Sequence, residues 1–201
     1  MVGRPQDSNM TPARPSPPAS PELEGHGAWT LAFWRAPKTW SPALLEEGPT
    51  LCVLGLGLVG EAVESLDVVS EAIEADGPLD GARLREELGD TLYYWCVACA
   101  RCGIPPERAW PASVDFEKPA PAAGSPAQIE RAAILLARRA RVCSESVKKM
   151  LRDGLDASAL GASLPPMGAA LALAARAAGF SGLDLARSNR DKLSPARRGR
   201  A

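Results

Sequence analysis

Apolar residues recur with a helical period along most of this 201-residue chain. From Leu54 to about Ala75, Leu58, Ala62, Leu66, Val69 and Ile73 fall on one stripe at i, i+3 or i+4 spacing, while Asp67, Glu71 and Glu74 point outward. Asp76-Gly77-Pro78 stops that helix. A second helix is predicted from about Gly81 to Cys102, with Leu84, Leu88, Leu92, Trp95 and Cys99 as its apolar face. Gly103, Pro105 and Pro106 end it. After a Pro/Ala/Gly linker over 119–127, the pattern predicts helices over about 127–152, 166–178 and 183–193. The fold class expected is all-α.

Ahead of these helices the pattern weakens. Residues 1–27 are rich in Pro, Ser and charge and hold little to bury, so they read as a disordered leader. Ala28 to Leu45 carries Trp29, Phe33, Trp34 and Trp40, interrupted by Pro37 and Pro42, and is expected as a short or broken helix on the core.

The second half of the chain reads as a worn copy of the first. Asp76-Gly77 answers to Asp153-Gly154, Leu84 and Leu88 to Leu160 and Leu164, and Cys102-Gly103-Ile104 to Ala178-Gly179-Phe180. Asp115 and Lys118 answer to Asn189 and Lys192. The offset holds near ~75 residues, as a fixed repeat does. This divides the chain into a leader (1–27), a first repeat (28–118), a linker (119–127) and a second repeat with a basic tail (128–201).

Composition narrows the function classes. Hydrophobic residues make up 46% of the chain, enough for one good core or two small ones fused. The net charge is −1, so no basic excess points to nucleic acid. Arg190, Lys192, Arg197, Arg198 and Arg200 read as a solvated tail, with phosphate contact as the alternative. No uninterrupted apolar run reaches the ~18 residues that span a bilayer, and the N-terminus lacks an apolar signal segment. A cytoplasmic location with five reduced cysteines is the expectation. Cys96, Cys99 and Cys102 read as a buried packing stripe rather than a metal or redox set. The single histidine, His26, falls in the leader, so histidine-based catalysis is not expected.

Two motifs carry candidate chemistry. Gly55-Leu-Gly57-Leu-Val-Gly60 after a short apolar run fits G-x-G-x-x-G, the dinucleotide-binding fingerprint. That motif needs a βαβ unit around it, and the downstream period stays near 3.6 with no strands. The glycines then read as points where helices approach closely. The second motif is acidic: Glu61 with Glu64, and Glu87 with Asp90. Three-residue spacing puts each pair on one helix face. One such pair is common on a solvated face. Two pairs beside apolar stripes on successive helices could point four carboxylates into one cleft. An all-oxygen set without His or Cys favours Mg²⁺ or Mn²⁺.

Leu56-Gly-Leu-Val-Gly-Glu61-Ala-Val-Glu64, followed by Glu86-Glu87-Leu-Gly-Asp90-Thr-Leu-Tyr-Tyr-Trp95, resembles the MazG-like all-α nucleoside triphosphate pyrophosphohydrolases. That family is marked by E-x-x-E on one helix and E-x-x-D on the next. The match spans about Leu54 to Gly103, and Ser188-Asn189-Arg-Asp-Lys192-Leu193 resembles the family's closing N-x-x-K-L segment. The first helix, around Trp34 to Leu45, matches poorly. The resemblance implies a MazG-like four-helix bundle. Here it would be built from two tandem repeats, the second degenerate, as in the related dimeric dUTPases.

The resemblance further implies Mg²⁺, replaceable by Mn²⁺, held by the catalytic residues Glu61, Glu64, Glu87 and Asp90. Lys118, Asn189 and Lys192 would bind substrate. Water would attack a phosphorus and split the bond between the α- and β-phosphates, giving a nucleoside monophosphate and pyrophosphate in nucleotide-pool housekeeping. Glu86 reads as a base, a support for the cluster or a plain surface charge. Arg138 and Arg141 would face the cleft if the repeats pack like subunits of a dimer. Tyr94 and Trp95 read as core or as a stack for the base. The implied partner is a nucleoside triphosphate, without nucleic acid or membrane, in a homodimer or a monomer with an internal pseudo-dimer. Two alternatives are a phosphoribosyl-ATP pyrophosphohydrolase and a non-catalytic nucleotide-binding or helical interaction module.

Overall fold

The structure, a computed structural model, describes residues 20–35, 47–118, 122–153 and 156–194. The described residues form seven helices and no strand, so the protein is all-α. The helices are α1 (Pro21–Arg35), α2 (Glu47–Glu74), α3 (Gly81–Arg101), α4 (Pro106–Ala109), α5 (Pro126–Asp153), α6 (Ser158–Ala177) and α7 (Gly182–Leu193).

Helix α2 packs against α3 and α5, and α6 packs against the same two. Glu71 of α2 meets Arg83 of α3 at 2.6 Å near the connecting turn, and Gly57 lies under the Tyr94 ring further along, so α2 and α3 run antiparallel. Asp80 starts α3 by accepting hydrogen bonds from the Ala82 and Arg83 N–H groups at 3.1 and 3.0 Å. Trp95 of α3 is fully buried, and its indole N–H donates to the Leu164 carbonyl of α6 at 3.0 Å. The apolar stripes anticipated on α2 and α3 supply Leu58, Ala62, Val69, Leu84, Leu88, Leu92 and Cys99 to the same core. Helix α2 starts at Glu47, ahead of the expected Leu54, and Thr50 and Leu51 extend its buried stripe.

Three sequence expectations need correction. The leader does not run unbroken to residue 27. Pro21 opens α1, a position where its missing N–H costs nothing, and Leu23, His26, Thr30 and Trp34 are buried. Residues 1–19, and the stretch 36–46 with Trp40, Pro37 and Pro42, lie outside the described residues. The helix expected from 166 begins at Ser158, with Pro165 and Pro166 inside it and exposed. Burial of Leu160, Leu164, Met167 and Leu171 on the opposite face holds the helix together across them. Finally, Arg190 and Lys192 are not tail residues but belong to α7, whereas 195–201 fall outside the description.

Helix α6 is long and apolar enough to cross a membrane, with a mean hydropathy of 1.3 over 18 residues, and half of that window is buried inside the fold. All five cysteines are free. Cys96, Cys99 and Cys143 are buried, and burial pushes the Cys143 thiol up to about 11.

Candidate functional site

The α2–α3 contact positions an acidic cluster. A side chain at Gly57 would collide with Tyr94, whose ring atoms would lie 2.3–2.6 Å from the added carbon. Glycine there lets the ring press close against α2, one turn from Glu61. Gly55 faces Val147 of α5, whereas Gly60 has open space around it. All three glycines of the G-x-G-x-x-G motif sit within α2, so no strand–turn–helix forms there; Gly55 and Gly57 serve close packing, whereas Gly60 does not.

Carboxylate oxygens of Glu61, Glu87 and Asp90 all lie within 4.8 Å of one another. Asp90 is buried, at 8% exposure, and Glu61 and Glu87 are half-buried. Glu64 is exposed and stands outside this trio. Its charge still reaches the cleft, because it helps raise both Glu61 and Glu87. Burial first, then the charges of Asp90, Glu64 and Glu87, push the Glu61 carboxyl up to about 7. Burial also raises Glu87, against the opposing pull of Lys192.

Helix α7 delivers the cationic and amide side of the cleft. Ser181 and Asp184 form a capping box at its start, and the Leu183 N–H donates to the Phe116 carbonyl at 3.0 Å. Arg85 of α3 lies over the Phe180 ring at 5.8 Å, so α7 begins beside the start of α3 and runs with it. Further along, Gly89 makes the contact close. A carbon added there would lie 2.8 Å from the Leu185 carbonyl oxygen and 3.4 Å from the Asn189 Cβ. That approach brings the Asn189 Nδ2 to donate to Asp90 Oδ1 at 2.5 Å, and the Lys192 ammonium to donate to Asp90 Oδ2. Lys192 Nζ also meets Glu86 Oε1 at 2.9 Å. Burial works against the Lys192 charge, but the bonds to Asp90 and Glu86 outweigh it and hold its pKa above the ordinary lysine range.

Gly89→Ala is expected to push α7 off α3, costing about 1–3 kcal/mol as overpacking against a backbone carbonyl. Urea unfolding checks the cost. An unchanged midpoint would mean that α7 has room to spare.

The remaining predicted residues are dispersed. Lys118 is exposed and pairs with Asp115 at 3.1 Å. It follows the four-residue α4 and does not join the acidic group, because the first half builds no closing helix like α7. Arg138 and Arg141 are exposed on α5. Trp95 is core, as its full burial shows, so it cannot stack on a base. Tyr94 is half-buried at the cleft, and burial followed by the Glu61 and Asp90 charges raises its hydroxyl pKa. His26 is fully buried and stacks on Trp29 at 5.6 Å; burial and then the Arg190 charge lower it to about 3, which keeps it neutral. The sequence reading missed Gly89 and the Lys192–Glu86 contact. A glycine inside a helix costs roughly 1 kcal/mol against Ala, and that cost is itself the signal of a close approach.

The donor set fits a hard divalent cation: three carboxylates, no nitrogen or sulfur, and an ammonium already drawn among them. Asn189 Oδ1 is buried without a partner, which leaves one more acceptor beside Asp90.

No family model matches the chain, and neither does any curated protein or solved structure.

The Glu61 carboxyl yields a pH prediction. Its pKa rises from 4.5 to about 7 on folding. Below 4.5 the group is protonated in both states and has no effect. Between 4.5 and 7 only the unfolded chain gives up the proton, so stability falls as pH rises; above 7 the full cost is present. Discounted for partial exposure, that cost is about 1 kcal/mol. In a chelator, Glu61→Gln is therefore expected to gain stability over wild type between pH 5 and pH 8. Urea midpoints at both pH values test the sign. A wild-type advantage that grows with pH would refute it.

Proposed function

We propose that the protein is a Mg²⁺-dependent nucleoside triphosphate pyrophosphohydrolase, converting a (d)NTP and water to a (d)NMP and pyrophosphate. The observation that carries the reading is the trio of carboxylates from α2 and α3 converging within 4.8 Å, with Asn189 and Lys192 of α7 brought onto it. Those are the residues on which the chain resembles the MazG-like family. Magnesium bound there would neutralise phosphate charge and activate a water for attack on phosphorus.

The chain's own residues have separable tasks in this reading. Glu61, Glu87 and Asp90 would hold the ion, and Glu64 would add negative charge from the solvent side. Asn189 fixes the Asp90 carboxylate through one oxygen, so the acid keeps one orientation. Lys192 supplies a mobile positive charge for the phosphates. Tyr94 and Gly57 form an apolar wall that shields one side from water. No residue needs to form a covalent intermediate, because phosphoryl chemistry of this kind rests on positioning and charge.

Within the same proposal the chain is two tandem repeats forming one four-helix unit. Helices α2 and α5 each have 28 residues, and α3 and α6 have 21 and 20. Both α3 and α6 end in a glycine with positive φ, Gly103 at 65° and Gly179 at 85°. The chain then closes the same way, Ile104 N–H to Cys99 O and Phe180 N–H to Ala175 O, each at 2.9 Å. Among the described residues the second repeat carries no acidic cluster of its own, and it lends α7 to the first.

A pyrophosphate-release assay with Mg²⁺, run across the canonical dNTPs, dUTP, oxidised nucleotides and phosphoribosyl-ATP, tests the proposal. Metal-dependent release from one or more nucleotides is expected. Turnover of phosphoribosyl-ATP alone would move the assignment to that substrate. Nucleotide binding without release would make the protein a binding module.

A further inference from the structure

We propose that Lys192 is a tethered cation that occupies the acidic cleft until a divalent ion displaces it, and that the substrate's phosphates then hold the released ammonium. The inference rests on the pyrophosphohydrolase reading of the cleft and adds how its filling is controlled.

Asp90 is the most buried acid of the trio, and the chain itself uses both of its oxygens. Asn189 donates to Oδ1 and Lys192 to Oδ2. An amide can stay in place when a cation arrives on the same carboxylate. An ammonium cannot, because two positive charges would share one oxygen in a poorly solvated cleft. Lys192 is built to leave. Its side chain is 36% exposed, against 11% for Asp90, so the four-carbon stem can swing outward without unpacking α7. Asn189, by contrast, is buried and fixed. Glu86 lies outside the trio yet holds the same ammonium at 2.9 Å, so it steadies the lysine without being a ligand itself.

The arrangement links ion and nucleotide. Without substrate, a divalent ion must pull Lys192 off Asp90 and leave it with Glu86 alone. With a triphosphate present, the phosphates accept the ammonium and the ion takes the vacated oxygen. Each ligand then raises the affinity of the other by the same factor. Ion and nucleotide load together, and the empty cleft resists stray ions.

The test is Mn²⁺ binding to the full chain, followed by calorimetry and by the free Mn²⁺ paramagnetic signal, with and without an α,β-methylene nucleoside triphosphate. Lys192→Met is expected to bind Mn²⁺ about tenfold more tightly than wild type without nucleotide, the size of an ordinary coupling between ligands. The analogue is expected to raise wild-type Mn²⁺ affinity by a similar factor, and that gain should vanish in Lys192→Met. Arg187→Gln removes a positive charge from the exposed face of the same helix and controls for general electrostatics; it should change affinity by less than about twofold at physiological salt. Lys192→Gln replaces the Met variant if circular dichroism shows that the latter has not folded. Mn²⁺ affinity unchanged or weakened in the folded Lys192 variant overturns the proposal, as does an analogue effect that survives there. If Mn²⁺ binds wild type, is lost in Asp90→Asn and ignores Lys192, only the tethered-cation proposal falls. If wild type and Lys192 variants all fail to bind Mn²⁺, with or without the analogue, the metal-centre reading falls with it.

Discussion

Asp90→Asn is expected to reduce Mg²⁺-dependent pyrophosphate release by about a thousandfold, equivalent to roughly 4 kcal/mol of lost transition-state stabilisation. The substitution keeps the shape of the side chain and the room for Asn189, but removes the charge that an ion and Lys192 both need. Glu61→Gln should lower turnover to a similar degree. The two variants should part company in stability. Asp90→Asn leaves the Lys192 ammonium with a weaker partner in a half-buried site, so the metal-free protein loses about 1–2 kcal/mol. Glu61→Gln relieves a carboxyl that burial and three neighbouring acids disfavour in its charged form, so the metal-free protein gains stability at pH 8. Equal losses of activity with opposite changes in stability would separate a metal centre from a structural ion pair. Full turnover in either variant, or turnover that ignores a chelator, would remove the cleft from the mechanism.

The two central helices were legible because large apolar residues dominate their buried faces, even with Ser65 and Thr91 among them. Leu84, Leu88, Leu92, Trp95 and Cys99 keep a strict helical period and are all buried. Helix α1 hid for the opposite reason: its buried face runs Leu23, His26, Thr30, Trp34, with two polar residues in the stripe and prolines around it. The acids were legible as a cluster but not in full. Three helical positions turn through ~300°, so Glu64 points about 60° away from Glu61. That rotation carries it to the rim while Glu61 faces α3. Lys118 and Lys192 hold matching places in the repeat, yet only Lys192 reaches Asp90. Their difference lies in whether the closing segment becomes a helix docked on α3, and a repeat alignment carries no information about docking. Gly89 decides that docking, and its role shows only once the Leu185 carbonyl is seen 2.8 Å from where a side chain would begin.

Trp95→Ala is expected to have the largest effect on stability, roughly 3–5 kcal/mol, because the site cannot collapse around the cavity. The indole is fully buried between α3 and α6, and its ring lies so close to Gly168 that a carbon added there would come within 2.7 Å. Trp110 packs edge-on against it at 5.9 Å, and Phe116 against Trp110 at 5.2 Å, so the loss opens a chain of rings. Against a typical total of about 5–15 kcal/mol, a fifth or more of the folding free energy is at stake. Trp95→Phe retains much of the ring but strips the donor from the Leu164 carbonyl, and should cost about 1–2 kcal/mol. Urea unfolding measures both. The same pair of variants settles whether Trp95 touches the nucleotide. A core residue predicts that Trp95→Phe, assayed well below its melting temperature, keeps KM within a factor of about two of wild type, the scatter expected when no substrate contact is lost. A raised KM with an unchanged unfolding midpoint would place the indole against the base, contrary to its burial. Since Trp95 lies in the turn after Asp90 on α3, a cavity there should also loosen the acid's backbone, so Trp95→Ala is expected to weaken Mn²⁺ binding and Trp95→Phe to preserve it.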